Sequence, residues 1–285
     1  MGVGAHMSIS GGLHKALDRG NEVNCDTIQI FTKSNMQWKA RELTNKDIEL
    51  FEEARAETGI DPVVGHDTYL INLASPDKDT YKKSVDSFIM ELMRSESLGL
   101  PYLVMHPGAH KDKGEKWGLK RIASSFKRVF KATKGTQVQV LLETTAGQGS
   151  NLGYRFEHLA EIVDMVDEPE RLAVCYDTCH TFAAGYDIRT RKAYNATFRE
   201  FDKVVGVDMI KVFHMNDAKK GLGSRVDRHE HIGKGEIGVD AFGFIMTDCR
   251  FKDVPKILET PKGETQDRSW DEINLATLRS LLAVE

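Results

Sequence analysis

Short runs of apolar residues recur along the chain and alternate with longer amphipathic stretches. The runs are nearly continuous in Val, Ile and Leu, which is typical of strands buried on both faces. We predict strands at Gly2–Ala5, Thr27–Phe31, Pro62–Gly65, Tyr102–Met105, Val138–Leu142, Leu172–Tyr176, Met209–Phe213 and Pro255–Leu258. The second to seventh begin at residues 27, 62, 102, 138, 172 and 209, so their starts lie 34 to 40 residues apart. Each interval has room for one helix and two loops.

The stretches between the runs carry the start and stop signals of helices. We predict helices from Thr44 to Gly59, from Ser75–Pro76 to Gly99, around Phe126–Phe130 and Phe156–Val163, and, after a cap at Ser269, over Trp270–Leu282. Eight strands that alternate with helices predict a (β/α)8 TIM barrel, an α/β fold, as a single domain over residues 1–285. An open doubly wound sheet is the alternative architecture.

A side chain of metal-ligand type directly follows each of six consecutive predicted strands. These residues are His66, His106, Glu143, Asp177, His214 and Glu259. Strand C-termini meet at one mouth of such a barrel, where active sites lie. A single His or Glu at a strand end is usually a hydrogen-bonded structural residue, but several carboxylates in one mouth repel each other unless a cation compensates. The pattern therefore predicts a metal cluster at this mouth.

Three further candidate ligands, His180, Asp227 and His229, lie in loops on the same side. In extended chain the two side chains of an Asp-x-His pair point to one face, as chelation requires. Mixed His and carboxylate ligands suit Zn2+, with manganese and iron as alternatives. Glu143 is placed to bridge two ions, and sites with two or three metals serve phosphoryl chemistry.

The composition and charge restrict the class of protein. Hydrophobic residues make up 40% of the chain and charged residues 29%, as in ordinary soluble proteins. No uninterrupted apolar run approaches the ~18 residues of a membrane span, and the N-terminal segment lacks the features of a secretory signal. Four cysteines fit a reducing compartment, so we expect a cytoplasmic protein with no membrane association. The formal net charge of −4 argues against nucleic-acid binding.

Six segments nevertheless resemble the endonuclease IV family of apurinic/apyrimidinic endonucleases. They are HDTYLINLAS (66–75), HPGAH (106–110), LLETTAGQGSNLG (141–153), DTCHTFAAGYD (177–187), HMNDAKKGLGSRVDRHEHIGKGEIG (214–238) and ETP (259–261). They occur in order over essentially the whole chain. The DTCH and DRHEHIG motifs are specific, whereas HPG or ETP alone would be weak signals.

The resemblance implies a zinc-dependent hydrolase of DNA base excision repair that acts as a monomer. Such an enzyme cuts damaged double-stranded DNA on the 5′ side of an abasic site and leaves a 3′-hydroxyl and a 5′-deoxyribose phosphate. Three Zn2+ per chain are implied, held by His66, His106 and Glu143; by Glu143, Asp177, His214 and Glu259; and by His180, Asp227 and His229. The expected nucleophile is a metal-bound hydroxide, and the residues expected to carry catalysis are Glu143 and Glu259.

The resemblance also implies contacts to DNA from two loops. Tyr69 matches the tyrosine that the family inserts into the duplex, and TKSNMQW (32–38) matches its first recognition loop. Lys33, Met36 and Gln37 of this loop are expected to bind DNA. Met36 stands where some members carry an arginine, and the alternative is that it packs against the barrel rim. Three zinc ions would carry six positive charges, which removes the objection from net charge.

Two other functions compete with this interpretation. A sugar isomerase or epimerase on the same barrel needs one metal, for which Glu143, Asp177, His214 and Glu259 would suffice. The five additional candidate ligands have no role in such an enzyme and favour the endonuclease. A non-catalytic lesion-binding protein is the third possibility, but no ligand position is degraded.

Overall fold

The structure of the protein is a computed structural model that describes residues 2–282. Its strands are β1 (Val3–His6), β2 (Thr27–Phe31), β3 (Val63–His66), β4 (Tyr102–Met105), β5 (Gln139–Glu143), β6 (Leu172–Asp177), β7 (Ile210–His214), β8 (Asp217–Ala218), β9 (His229–Glu230) and β10 (Lys256–Leu258). All except β8 and β9 are parallel and close into a barrel, with β1 between β2 and β10. The short strands β8 and β9 pair as an antiparallel ribbon after β7. The predicted TIM barrel is thereby confirmed, and the open sheet is excluded.

The helices form a layer around the barrel. They are α1 (His14–Glu22), α2 (Asn45–Thr58), α3 (Lys78–Ser97), α4 (Glu115–Ala132), α5 (Phe156–Met165), α6 (Thr178–Ala184), α7 (Arg191–Val204), α8 (Val239–Thr247) and α9 (Trp270–Ser280). Successive members of this layer contact each other, for example α1 with α2, α3 with α4 and α8 with α9. Over residues 2–282, no helix is long and apolar enough to cross a membrane. The single-domain assignment over 1–285 also covers Met1 and residues 283–285, which lie outside the described part, and it stays a prediction.

Two predicted helix starts are confirmed, and one is wrong. Thr44 and Ser269 each cap their helix through a reciprocal capping box. The start at Ser75–Pro76 is displaced, because α3 begins only after Asp77. The Asp77 carboxylate accepts a hydrogen bond from the free N–H of Thr80 at 2.7 Å and so caps the first turn.

The strands also differ from the prediction at the ends that face the mouth. Five of them continue for one more residue, so that His6, His66, Glu143, Asp177 and His214 are the last residues of strands rather than the first of loops. The sheet ladder therefore fixes their backbone, and Phe31 pairs with His66 just as Asp177 pairs with His214. The connection from β6 to β7 holds two helices instead of the predicted one, since the Asp177 carboxylate caps the short helix α6.

A small apolar cluster fills the barrel interior below the mouth. It consists of Val64, Val104, Leu141, Ala173, Cys175, Val212 and Ile257, all fully buried. Six of the strands contribute to it, and the larger core lies between the barrel and the helices. The mouth is therefore closed from beneath, and only its outer side is open to a substrate.

Candidate metal centre

Strand alternation directs six candidate ligands into the mouth. Side chains two residues apart on a strand point to the same face. Val64, Leu141 and Val212 belong to the interior cluster, and His66, Glu143 and His214 follow them by two positions. The same relation joins Val104 to His106, Cys175 to Asp177 and Ile257 to Glu259. The alternation that points apolar side chains into the barrel interior therefore also points these six polar side chains into the mouth above it.

The structure brings all nine predicted ligand residues together in three groups. Within each group, ligand atoms lie within 4.8 Å of one another. The first group is His66, His106 and Glu143; the second is Glu143, Asp177, His214 and Glu259; the third is His180, Asp227 and His229. Glu143 is common to the first two groups, so its two oxygens join them.

The separations in the third group suit a tetrahedral ion. His180 Nε2 lies 3.2 Å from Asp227 Oδ2, and His229 Nε2 lies 3.4 Å from Asp227 Oδ1. The two Nε2 atoms face each other at 3.4 Å. Zinc bonds of about 2.0–2.1 Å in tetrahedral geometry separate neighbouring ligand atoms by about 3.3 Å. The donor atoms of this group are therefore spaced much as the ligands of one zinc ion would be.

The first and second groups meet at Glu143, which is fully buried. The Nε2 atoms of His66 and His106 both lie 3.1 Å from Glu143 Oε2. On the other side, His214 Nδ1 lies 3.1 Å from Glu143 Oε1 and 3.1 Å from Glu259 Oε2. One imidazole cannot satisfy several buried carboxylates by hydrogen bonding, whereas a divalent cation can compensate them.

Four of the histidines have their second ring nitrogen bound to a carbonyl oxygen. The pairs are His66 Nδ1 with Asp67 O at 2.7 Å, His180 Nδ1 with Thr144 O at 2.9 Å, His229 Nδ1 with Glu259 O at 3.1 Å, and His214 Nε2 with Gln29 Oε1 at 2.8 Å. A carbonyl only accepts, so each of these nitrogens carries the proton. The remaining nitrogen then presents its lone pair to the group, as in metal sites where the outer contact orients a histidine ligand.

Opposing charges set the pKa values in the cluster. Burial opposes ionisation of Glu143, but His106 and His214 outweigh it and hold the pKa of this carboxyl well below its ordinary value. Burial likewise opposes ionisation of Asp227, yet its histidine neighbours lower its pKa to about 2. For Asp177 burial prevails, and its pKa is raised. A bound metal would compete with protons for the donor atoms of this cluster.

Two residues at the centre were not predicted from the sequence. Gln29 in β2 accepts from His214, and its Nε2 donates to Glu259 Oε1 at 2.7 Å and to His6 Nδ1 at 2.9 Å. Asn216 donates from Nδ2 to Asp177 Oδ2 at 2.7 Å, while its Oδ1 accepts from the Glu259 backbone N–H at 2.8 Å. Each amide orients two residues of the second group. A buried glutamine within the apolar run TIQIF was the available signal for Gln29.

Of the predicted DNA contacts, two side chains are strongly exposed near the mouth and one is buried. Met36 is 78% exposed and Tyr69 is 67% exposed, so Met36 does not pack against the rim. Gln37 is also exposed. Lys33 is buried, and its Nζ lies 3.1 Å from the buried Glu91 carboxylate. The ammonium group of Lys33 is thus already paired inside the protein, which counts against the predicted contact with DNA.

Comparison with known proteins identifies the family. A family model described as a xylose isomerase-like TIM barrel matches residues 17–281. A protein of Geotalea daltonii named "Probable endonuclease 4" is 51% identical over 280 residues, which cover 98% of each chain. The chain belongs to the endonuclease IV family. The crystal structure of endonuclease IV from Thermus thermophilus agrees, with a TM-score of 0.87 and 34% identity over 99% of both chains.

The family membership confirms the predicted class of enzyme, a hydrolase of the endonuclease IV type. The barrel itself occurs more widely. A D-tagatose 3-epimerase-like protein matches with a TM-score of 0.74 but 20% identity, covering 99% of this chain and 97% of that one. This second likeness shows the fold alone, so the function depends on the residues at the mouth.

Proposed function

We propose that this protein hydrolyses the phosphodiester on the 5′ side of abasic sites in duplex DNA, with three zinc ions at the barrel mouth. The products would be a 3′-hydroxyl and a 5′-deoxyribose phosphate. The observation that carries the proposal is the convergence of nine ligand-type residues into three groups that share one mouth. Two similar proteins are named as endonucleases, and these names support the choice of substrate.

The proposed ligand sets are the three groups themselves. The first ion would be held by the group of His66, the second by the group of His214 and the third by the group of His180. When bound, such ions stabilise negative charge on phosphate oxygens and lower the pKa of water from 15.7 towards about 7. Sets of His and carboxylate donors suit zinc, as predicted.

Glu143 has the central position in this proposal because its two oxygens serve different groups. Oε2 faces the imidazoles of His66 and His106, while Oε1 faces His214, all at 3.1 Å. A carboxylate in this arrangement would be a ligand to two ions, and within residues 2–282 no lysine or arginine forms an ion pair with it. Gln29 holds the ring of His214 and the carboxylate of Glu259 in the matching orientation.

The shape beside the centre suits a nucleotide displaced from a duplex. A cleft of about 580 Å³ adjoins the mouth, lined in part by Tyr69, Asn72, His106, Lys111 and Asp227. His106 and Asp227 also belong to the first and third groups, so the cleft opens onto the proposed ions. Tyr69, and Met36 on the neighbouring loop, are exposed apolar side chains of the kind that wedge into a base stack.

The sugar isomerase remains the rival with the same fold. Its single ion would occupy the second group, which is complete without the other residues. It would leave the third group without a function, although His180, Asp227 and His229 lie within ligand distance of one another. A lesion-binding protein without activity would keep all three groups intact but would not cut.

Metal content and substrate, measured on the same preparation, distinguish these functions. We expect three zinc ions per chain by mass spectrometry and incision of an abasic duplex, with no change in a ketose substrate. One ion per chain with epimerisation of the ketose would establish the isomerase. Three ions with tight binding of abasic DNA but no incision would establish the lesion-binding protein.

A further inference from the structure

One face of α3 holds the loop that follows β2, here called loop 32–41. Ser87 and Arg94 lie seven positions apart and share this face. Ser87 Oγ donates to the carbonyl of Trp38 at 3.0 Å. The Arg94 guanidinium donates to the carbonyl of Thr32 at 2.6 and 3.0 Å and to that of Arg41 at 2.8 Å. Both ends of the loop are therefore bound to the same helix.

Glu91 lies between these residues on the same face and holds the middle of the loop through Lys33. Lys33 Nζ lies 3.1 Å from Glu91 Oε1 and donates to the carbonyl of Gln37 at 2.5 Å. Thr68 Oγ1 donates to Glu91 Oε1 at 3.2 Å and lies 3.4 Å from Lys33 Nζ. Lys33, Thr68 and Glu91 are all buried. The ion pair thus connects loop 32–41 with the residue that precedes Tyr69.

The contacts that hold loop 32–41 do not involve the side chain at its tip. On the loop side, the contacts from Ser87 and Arg94 end on backbone carbonyls, and the ion pair ends on Lys33, which itself donates to the Gln37 carbonyl. The side chain of Met36 takes no part in them and projects into solvent. The loop is therefore held in place by a mechanism that does not depend on the identity of its tip residue.

We infer that Ser87, Glu91, Arg94 and Lys33 form a clamp that positions Met36 and Tyr69 for lesion recognition. The inference rests on the proposed function, since it assigns the clamp to the selection of abasic over intact duplex. A loop that is ordered before binding loses less conformational entropy when DNA docks. The clamp would therefore act on DNA binding and selectivity, and its members are positioning residues that do not belong to the three proposed ligand groups.

Two variants and a matched control test the clamp. Arg94→Met removes the contacts to Thr32 and Arg41 but keeps the aliphatic stem. The double variant Lys33→Met with Glu91→Met removes the ion pair without leaving one charge buried alone. Arg199→Met is the control, because the exposed Arg199 guanidinium donates to Asn195 of its own helix. For each protein we would measure zinc content, amide hydrogen exchange, and kcat and KM on abasic and on intact duplex.

Both clamp variants should keep three zinc ions and a kcat close to that of the wild type. We expect exchange of the backbone amides in loop 32–41 to accelerate, and KM for the abasic duplex to rise by about tenfold, with reduced preference over intact duplex. The Arg199→Met control should match the wild type in all four measurements.

The possible failures can be told apart. Faster amide exchange in loop 32–41 with unchanged KM and selectivity would show that the clamp has no role in recognition. Unchanged amide exchange would show that these residues do not hold the loop, and it would overturn the inference as well. A loss of zinc in either clamp variant would also overturn it, since the effect would then act through the metal centre. If wild-type protein with three zinc ions fails to incise abasic DNA, it is the proposed function that is overturned.

Discussion

Replacement of Glu143 by Gln should disable two of the three proposed metal positions at once. The variant keeps the shape of the side chain but removes the charge that faces His66, His106 and His214, each at 3.1 Å. Loss of a mere orienting partner of a metal ligand costs about 10- to 100-fold in affinity or activity. A direct ligand to two ions should cost at least about 100-fold at each position, and these losses multiply.

We therefore expect zinc content to fall from three ions per chain towards one, with the third group still occupied. Incision of abasic duplex should fall by about 10⁴-fold or more, as the losses at two weakened positions multiply. Mass spectrometry of the native protein and single-turnover incision are the assays. Glu161→Gln, on the exposed face of α5, is the matched control and should retain three ions and full activity. A Glu143→Gln protein with three ions and near-normal incision would refute the bridging role.

Three other predictions follow from the same geometry. Tyr69→Ala should reduce selectivity for abasic over intact duplex in competition assays, and equal losses on both substrates would count against insertion. Gln29→Met should weaken zinc at the second group by about 10- to 100-fold in chelator titrations, because His214 and Glu259 lose their common partner; unchanged affinity would rule this out. Zinc should dissociate more readily at pH 5.5 than at pH 7.5, since raised pKa values of His180 and His214 favour protons over metal as pH falls. A pH-independent affinity in equilibrium dialysis would contradict that competition.

The barrel and its ligand layer could be predicted because both follow from the same strand periodicity. A strand buried on both faces is recognisable as an apolar run, and the residue beyond it must lie at the mouth. Five strand ends were misplaced by one residue, at His6, His66, Glu143, Asp177 and His214. The polar side chains there looked like loop residues, yet the parallel ladder continues through them.

Contacts between distant segments could not be predicted in this way. Lys33 looked like an exposed cation in a recognition loop, but its partner Glu91 lies on α3 and is brought near it only by the fold. Gln29 contacts His214 and Glu259 across the barrel for the same reason. The helix start predicted at Ser75 was wrong for a local reason. Asp77, two residues later, caps the helix with its carboxylate, so the helix begins after Asp77.

The central claim is tested most directly by incision of a labelled duplex that carries one abasic analogue unable to undergo β-elimination. Protein shown to hold three zinc ions per chain should cut this strand on the 5′ side of the analogue, leave a 3′-hydroxyl, and spare an intact control duplex. Failure of the zinc-loaded protein to cut, or equal cutting of both duplexes, would contradict the account.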